Sequence, residues 1–144
     1  MILCDVNVLV YAFRADATDH VAHRRWLLER LRGDESFGVC ELVLSAVVRI
    51  VTHPRVFVKP STLGDAFGFV EAIRERPNAV PVAPGPRHWE IFRRLCERAG
   101  AKGNLVPDAY LAALAIEHGC EWITTDRDYS RFPGLRWRHP LETR

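Results

Sequence analysis

The chain has 144 residues, of which 48% are hydrophobic and 26% are charged, and its formal net charge is +2. This length fits one domain spanning residues 1–144, and this composition excludes an intrinsically disordered chain. The small net charge does not by itself indicate nucleic-acid binding, and a genomic bias explains the preference for arginine over lysine at least as well as phosphate binding does. No apolar run is long enough to span a bilayer and no signal peptide is recognisable, so we expect a cytoplasmic protein without a membrane partner.

Strand and helix patterns alternate along the chain. In order, we predict strand 1–4, helix 6–13, helix 20–32, strand 36–40, helix 41–52, helix 62–76, strand 79–82, helix 87–98, helix 107–118, strand 121–125 and a fifth strand candidate over 135–139. Ser61 is the expected N-cap of the fourth helix, and Pro107 suits the first position of the sixth because no backbone N–H is needed there. This alternation predicts an α/β protein of three layers, with a central, mostly parallel sheet covered by helices on both faces.

Acidic residues lie where predicted strands turn into helices. Asp5 ends the first strand, Glu41 follows the second, and Asp126 follows the fourth, with Asp128 two residues later. Asp108 lies in the first turn of the alanine-rich sixth helix. Any one of these acids, taken alone, is better explained as a helix cap or as a favourable charge at a helix start. Ligands of open parallel sheets bind at the carboxyl ends of the strands, so we expect the fold to bring three of the aspartates together there.

Three carboxylates at one edge of a sheet indicate a divalent-metal site. Without a cation Asp5, Asp108 and Asp126 would repel one another, and at least one would have to be protonated. Shared coordination of Mg²⁺ or Mn²⁺ removes this conflict, because hard divalent ions prefer carboxylate oxygen and water. Such a site suits phosphodiester hydrolysis by a water of lowered pKa, and no serine or cysteine is paired convincingly with a histidine as an alternative nucleophile.

Three segments of the chain resemble the motifs of PIN-domain ribonucleases, in particular the VapC-type toxins of bacterial and archaeal toxin–antitoxin pairs. They are MILCDVNVLVYAF, NLVPDAYLAALAIEHGC and WITTDRDYSRFPGL, and the length and element order agree with the family. The resemblance implies a PIN-like fold and a metal-dependent endoribonuclease that leaves a 5′-phosphate and a 3′-hydroxyl on its RNA substrate. It also implies a homodimer and a cognate antitoxin protein whose C-terminal segment blocks the active site.

The resemblance further implies roles for individual residues. Asp5 and Asp108 match metal ligands, and Asp126 completes the acidic cluster. Thr124 matches a residue that holds the cluster or binds phosphate, and Asn7 matches a polar position that helps to orient the site. The three aspartate motifs are specific in combination, whereas DxN or TxD alone is a weak signal.

The chain departs from the family pattern at one acidic position. Many relatives carry a ligand glutamate inside the third helix after a segment like LVL, but here Leu42 to Leu44 are followed by Ser45 and Ala46. Glu41 lies about one turn earlier, and we hypothesise that it is a catalytic metal ligand that reaches the same cation directly or through water. Asp128 matches a frequent second acid of the last motif, and an exposed turn residue explains it equally well.

Rival classes of protein are distinguished by single positions. A phosphatase of the haloacid-dehalogenase type also begins with a strand and an aspartate, but Asn7 stands where its second aspartate must act as an acid. Dinucleotide binding is excluded because no glycine follows the first strand. The alternative that stays open is a PIN-fold module, degraded at Ala46, which binds RNA or a partner protein without cleaving it.

Overall fold

The computed structural model describes residues 1–142, which contain one parallel sheet of five strands. The strands are β1 (Ile2–Cys4), β2 (Phe37–Val39), β3 (Ala79–Pro81), β4 (Glu121–Ile123) and β5 (Trp137–Arg138). Their spatial order is β3-β2-β1-β4-β5, and every neighbouring pair is parallel. The sheet therefore confirms the predicted class, and its central strand β1 places Asp5 in the middle of the carboxyl edge.

Six α-helices and one 3₁₀ helix connect the strands in the described residues. They are α1 (Val6–Phe13), α2 (His20–Arg32), α3 (Glu41–Val51), α4 (Leu63–Arg74), α5 (His88–Ala99), α6 (Leu105–Glu117) and the 3₁₀ helix (Arg127–Arg131). Helix α1 packs on both α2 and α3, α3 packs on α4, and α5 packs on α6. Because crossovers between parallel strands are right-handed, the first group covers one face of the sheet and the second covers the other, which gives the three predicted layers.

Two helix starts differ from the predicted ones. Helix α4 is capped by Thr62 and not by Ser61: the Thr62 hydroxyl accepts from the Asp65 backbone N–H at 3.1 Å. The Ser61 hydroxyl instead accepts from Arg14 at 2.9 Å, so a tertiary contact outweighs its capping propensity. Helix α6 begins at Leu105, two residues before Pro107, which is tolerated because none of the first backbone N–H groups of a helix has a partner within it.

The apolar core surrounds the central strands on both faces. Ile2, Leu3 and Cys4 are all buried, and Trp122 on β4 has no exposed surface. Continuous burial of this kind is expected for a parallel strand between two helical layers. No helix in residues 1–142 is both long and apolar enough to cross a membrane.

Candidate active site

Asp5 lies at the junction of β1 and α1, where its side chain is almost completely buried. Its Oδ1 accepts the Val6 backbone N–H at 2.7 Å, and its Oδ2 accepts the Thr124 hydroxyl at 2.7 Å. The Asp5 backbone N–H donates to the Ile123 carbonyl at 2.8 Å, which ties the junction to β4. Asp5 therefore caps α1, which was the alternative explanation of this acid from the sequence. The cap is unusual in being buried, since Asp5 is only 7% exposed.

Thr124 connects the first acidic segment to the last. Its side chain is fully buried, and its hydroxyl donates to Asp5 while accepting the Asp126 backbone N–H at 3.0 Å. The Asp126 Oδ1 in turn accepts the Asp128 N–H at 2.9 Å, which starts the 3₁₀ helix. One hydroxyl thus fixes the Asp5 carboxylate relative to the backbone that carries Asp126.

Asp108 reaches the same place from the opposite direction along the chain. Helix α6 leads back into β4, so its first turn lies at the carboxyl edge of the sheet, and Asp108 is half-buried there. The Tyr129 hydroxyl donates to Asp108 Oδ1 at 3.3 Å, and Tyr129 is 1% exposed. Tyr129 was not among the predicted site residues. Its spacing could have indicated it, because residues three apart share one side of a 3₁₀ helix and Tyr129 follows Asp126 by three.

Asp108 and Asp126 lie near enough to Asp5 for their charges to act on its carboxylate. Burial first, and then the charges of Asp108 and Asp126, raise the pKa of Asp5 to about 6 against the opposing effect of its hydrogen bonds from Thr124 and Val6. Burial and the nearby Asp126 likewise raise the pKa of Asp108 above its usual range. Within residues 1–142 no Lys, Arg or His forms an ion pair with any of these three aspartates. The cluster therefore lacks a neutralising cation among its described neighbours.

The donor set suits a hard divalent cation. All the candidate donors are oxygens, and the Oδ1 of Asn7, two residues after Asp5 in the chain, is buried without a hydrogen-bond partner in the described residues. In the described part of the chain, no three His, Cys, Asp or Glu side chains are close enough to hold a metal ion as they stand. Mg²⁺ commonly takes only one or two protein carboxylates and completes its shell with water. The residues thus fit an ion held by two aspartates, with water at the remaining positions.

The structure does not bring the Glu41 side chain into contact with the cluster, and Asp128 contacts it through its backbone N–H. Glu41 begins α3 with its side chain 83% exposed, and its nearest charged partner is Arg74, at 3.9 Å. Asp128 is exposed and contributes its backbone N–H to the Asp126 carboxylate. The metal-ligand role of Glu41 and the acid role of Asp128 stay predictions.

The side of α3 that faces the site is apolar. A groove of about 480 Å³ is lined by Leu42, Val43 and Ala46 together with Val6 and Pro107. Val6 and Pro107 are the chain neighbours of Asp5 and Asp108, so Ala46 lies on the side of α3 nearest the cluster. A longer side chain at position 46 would extend into this groove.

The protein is thus an α/β protein whose parallel sheet carries an acidic cluster at its carboxyl edge. Ligands of open α/β sheets bind at this edge. The model of the PIN domain family matches residues 2–135. A VapC ribonuclease of Mycobacterium bovis is 48% identical over 143 residues, covering 99% of this chain and 97% of the relative. Ribonuclease VapC25 of Mycobacterium tuberculosis is 44% identical over 140 residues, covering 97% and 99%. The chain belongs to the PIN-domain family and, within it, to the VapC ribonucleases.

Solved structures share the fold at low sequence identity. VapBC2 from Rickettsia felis, bound to a DNA fragment from its promoter, gives a TM-score of 0.67 at 19% identity, covering 96% of this chain and 98% of the other. DNA-bound VapBC from Salmonella typhimurium gives a TM-score of 0.65 at 16% identity, covering 98% and 100%. The five-stranded parallel architecture is thus the fold of these toxin–antitoxin proteins.

Proposed function

We propose that the protein is a metal-dependent endoribonuclease that acts as the toxin of a toxin–antitoxin pair. Relatives named as VapC ribonucleases match almost the whole chain at 44% to 48% identity, which supports RNA hydrolysis. The observation that carries the site is the group of Asp5, Asp108 and Asp126: the Thr124 hydroxyl links the Asp5 carboxylate to the Asp126 backbone, the charge of Asp126 helps to raise the pKa of both Asp5 and Asp108, and no cationic side chain pairs with any of the three in residues 1–142. The non-cleaving alternative rested on Ala46, and no observation favours it.

The proposed ligands of Mg²⁺ or Mn²⁺ are Asp5 and Asp108, with Asp126 completing the cluster. When bound, the ion lowers the pKa of a water and neutralises charge that develops on the phosphate. Thr124 keeps the Asp5 carboxylate in place through the hydroxyl that also accepts from the Asp126 backbone. The proposed role of Asn7 is to orient a water at the cluster, which its buried and unpartnered Oδ1 supports.

The proposed partners are the RNA substrate and a cognate antitoxin protein. The neighbours from Rickettsia felis and Salmonella typhimurium are VapBC complexes, which supports an antitoxin for this chain. The homodimer implied by the resemblance is part of the same proposal. Light scattering of the purified protein measures it directly.

Expression in a bacterial host tests the toxin function. The wild type should arrest growth and generate new RNA 5′-phosphate ends, and co-expression of the antitoxin should suppress both effects. Asp108→Asn should neither arrest growth nor generate new RNA ends, because it removes a proposed metal ligand. Asp34→Asn is the matched control, since Asp34 is exposed on the loop after α2 and should behave as the wild type. Equal RNA ends in the wild type and in Asp108→Asn would overturn the proposal.

A further inference from the structure

The Tyr129 hydroxyl contacts the Asp108 carboxylate although the ring belongs to the core. Burial raises the pKa of Tyr129 far above its usual range, and the charges of Asp5, Asp108 and Asp126 raise it further. Towards the Asp108 carboxylate the hydroxyl acts as a hydrogen-bond donor.

Core packing holds the tyrosine ring in place. Its centroid is 5.3 Å from that of Trp122 and 5.8 Å from that of Phe132, and both neighbours are buried. The position of the hydroxyl is therefore set by the interior of the protein and not by solvent. A phenylalanine would fill the same space, so packing alone does not require the oxygen.

The Tyr129 hydroxyl is also the one described hydrogen-bond donor to the Asp108 carboxylate within residues 1–142. The 3.3 Å contact is long for an O–H to carboxylate bond, and such bonds commonly tighten when a site binds its substrate. Asp5 differs, because both of its carboxylate oxygens are already held at 2.7 Å. Asp108 thus depends on one side chain for its orientation.

We propose that Tyr129 is a positioning residue that holds Oδ1 of Asp108 and leaves the other carboxylate oxygen available to the divalent cation. This inference rests on the proposed function, because it assigns Asp108 to a metal. A carboxylate that is already fixed loses less side-chain freedom on binding the ion, so the hydroxyl increases metal affinity without touching the metal.

Mn²⁺ binding to the purified protein, measured by titration calorimetry, tests the role of the hydroxyl. Tyr129→Phe should weaken Mn²⁺ binding by about 10-fold, as loss of a partner behind a metal ligand typically does. It should raise the Mn²⁺ concentration for half-maximal RNA cleavage by the same factor, while cleavage at saturating Mn²⁺ changes less. Tyr110→Phe is the matched control, because the Tyr110 hydroxyl makes no hydrogen bond in the described part of the chain.

The outcomes separate this inference from the proposed function. If the wild type binds Mn²⁺ and Tyr129→Phe binds it equally well, Tyr129 has no positioning role, but the metal-dependent nuclease stands. If the wild type binds no Mn²⁺, both the metal site and this inference are wrong. In an Asp108→Asn background, Tyr129→Phe should leave the residual Mn²⁺ affinity unchanged, because the hydroxyl acts through that carboxylate. A further loss in that background would contradict the inference.

Discussion

Asp5 shows how a proposed metal ligand can oppose the stability of the fold that holds it. Its carboxylate is 7% exposed and lies near two other acids, and its hydrogen bonds from Val6 and Thr124 only partly offset the burial. The folded protein therefore favours the protonated form of a group that metal binding requires to be ionised. A divalent cation resolves this conflict, so the metal should stabilise the fold as well as supply the chemistry.

The metal-free protein should lose stability as pH rises because of Asp5. Its pKa in the folded protein is about 6, above its ordinary value of 3.8. Because the pKa is raised on folding, the contribution of Asp5 to the free energy of unfolding is fully present below about pH 4. It is lost as pH rises through about 6, and the loss is up to about 3 kcal/mol. Urea unfolding in EDTA between pH 4.5 and 7.5 measures this loss.

Asp5→Asn should remove this pH dependence, and Asp34→Asn should retain it. The Asn variant should therefore unfold with a free energy nearer to the wild-type value at pH 4.5 than at pH 7.5. Parallel pH profiles for the wild type and Asp5→Asn would show that Asp5 is ionised normally in the folded protein.

At the scale of elements, α3 is the helix for which the sequence did not decide whether Glu41 is a metal ligand. Its apolar side, with Leu42, Val43 and Ala46, faces the groove beside the cluster, and Glu41 begins the helix on an exposed side near Arg74. Glu41 stands at the start of α3, directly after β2, so the direction of its side chain decides whether its carboxylate reaches the cluster. The pattern of strands and helices does not determine that orientation.

Glu41→Gln tests the hypothesis about the fourth ligand. If Glu41 reaches the cation directly or through water, the variant should reduce metal-dependent cleavage by about 10-fold, less than loss of a buried aspartate. Glu71→Gln is the control, because Glu71 is exposed on α4 and lines, together with Glu41, a second groove between α3 and α4. Unchanged cleavage in Glu41→Gln would remove Glu41 from the site and leave three aspartates.

Two glycines should respond in opposite ways to alanine because their elements have different space around them. A Cβ at Gly38 on β2 would lie 3.0 Å from the Ile2 carbonyl oxygen and 3.2 Å from side-chain carbons of Leu3 and Val82. A Cβ at Gly68 within α4 would meet nothing within 4 Å. We expect Gly38→Ala to lower the free energy of unfolding by about 1–3 kcal/mol through overpacking.

Gly68→Ala should instead raise the free energy of unfolding by about 0.5–1 kcal/mol, since alanine favours a helix interior over glycine. Urea unfolding of both variants at one pH measures the pair. The same sign of change for both would contradict the close packing of β2 against β1.

The elements were largely predictable, because their signals are local. Hydrophobic periodicity gave every strand and α-helix within a few residues, but it did not predict the 3₁₀ helix at Arg127–Arg131. The Thr62 cap was missed because Ser61 has the same propensity and its contact with Arg14 comes from a distant segment. Tyr129 was missed for a similar reason, since its partner Asp108 lies on another element.

For the whole molecule, the topology explains why distant acids meet. Strand β1 is central, β4 is its neighbour, and α6 returns to the carboxyl edge before β4 begins. The order of the strands therefore brings Asp5, Asp108 and Asp126 towards one another. The alternation of elements predicted the parallel sheet and its acidic carboxyl edge, whereas the strand order came from the structure. The absence of a neutralising side chain beside them in residues 1–142 required the structure.

The most direct test is RNA cleavage by the purified protein with and without divalent metal. Single-stranded RNA should be cut in Mg²⁺ or Mn²⁺, leaving 5′-phosphate ends, and EDTA should abolish cleavage. Asp5→Asn, Asp108→Asn and Asp126→Asn should each reduce cleavage by at least about 100-fold while remaining folded, and Asp34→Asn should cut as the wild type does. Cleavage that persists in EDTA, or that survives in all three aspartate variants, would contradict a metal site built on these aspartates.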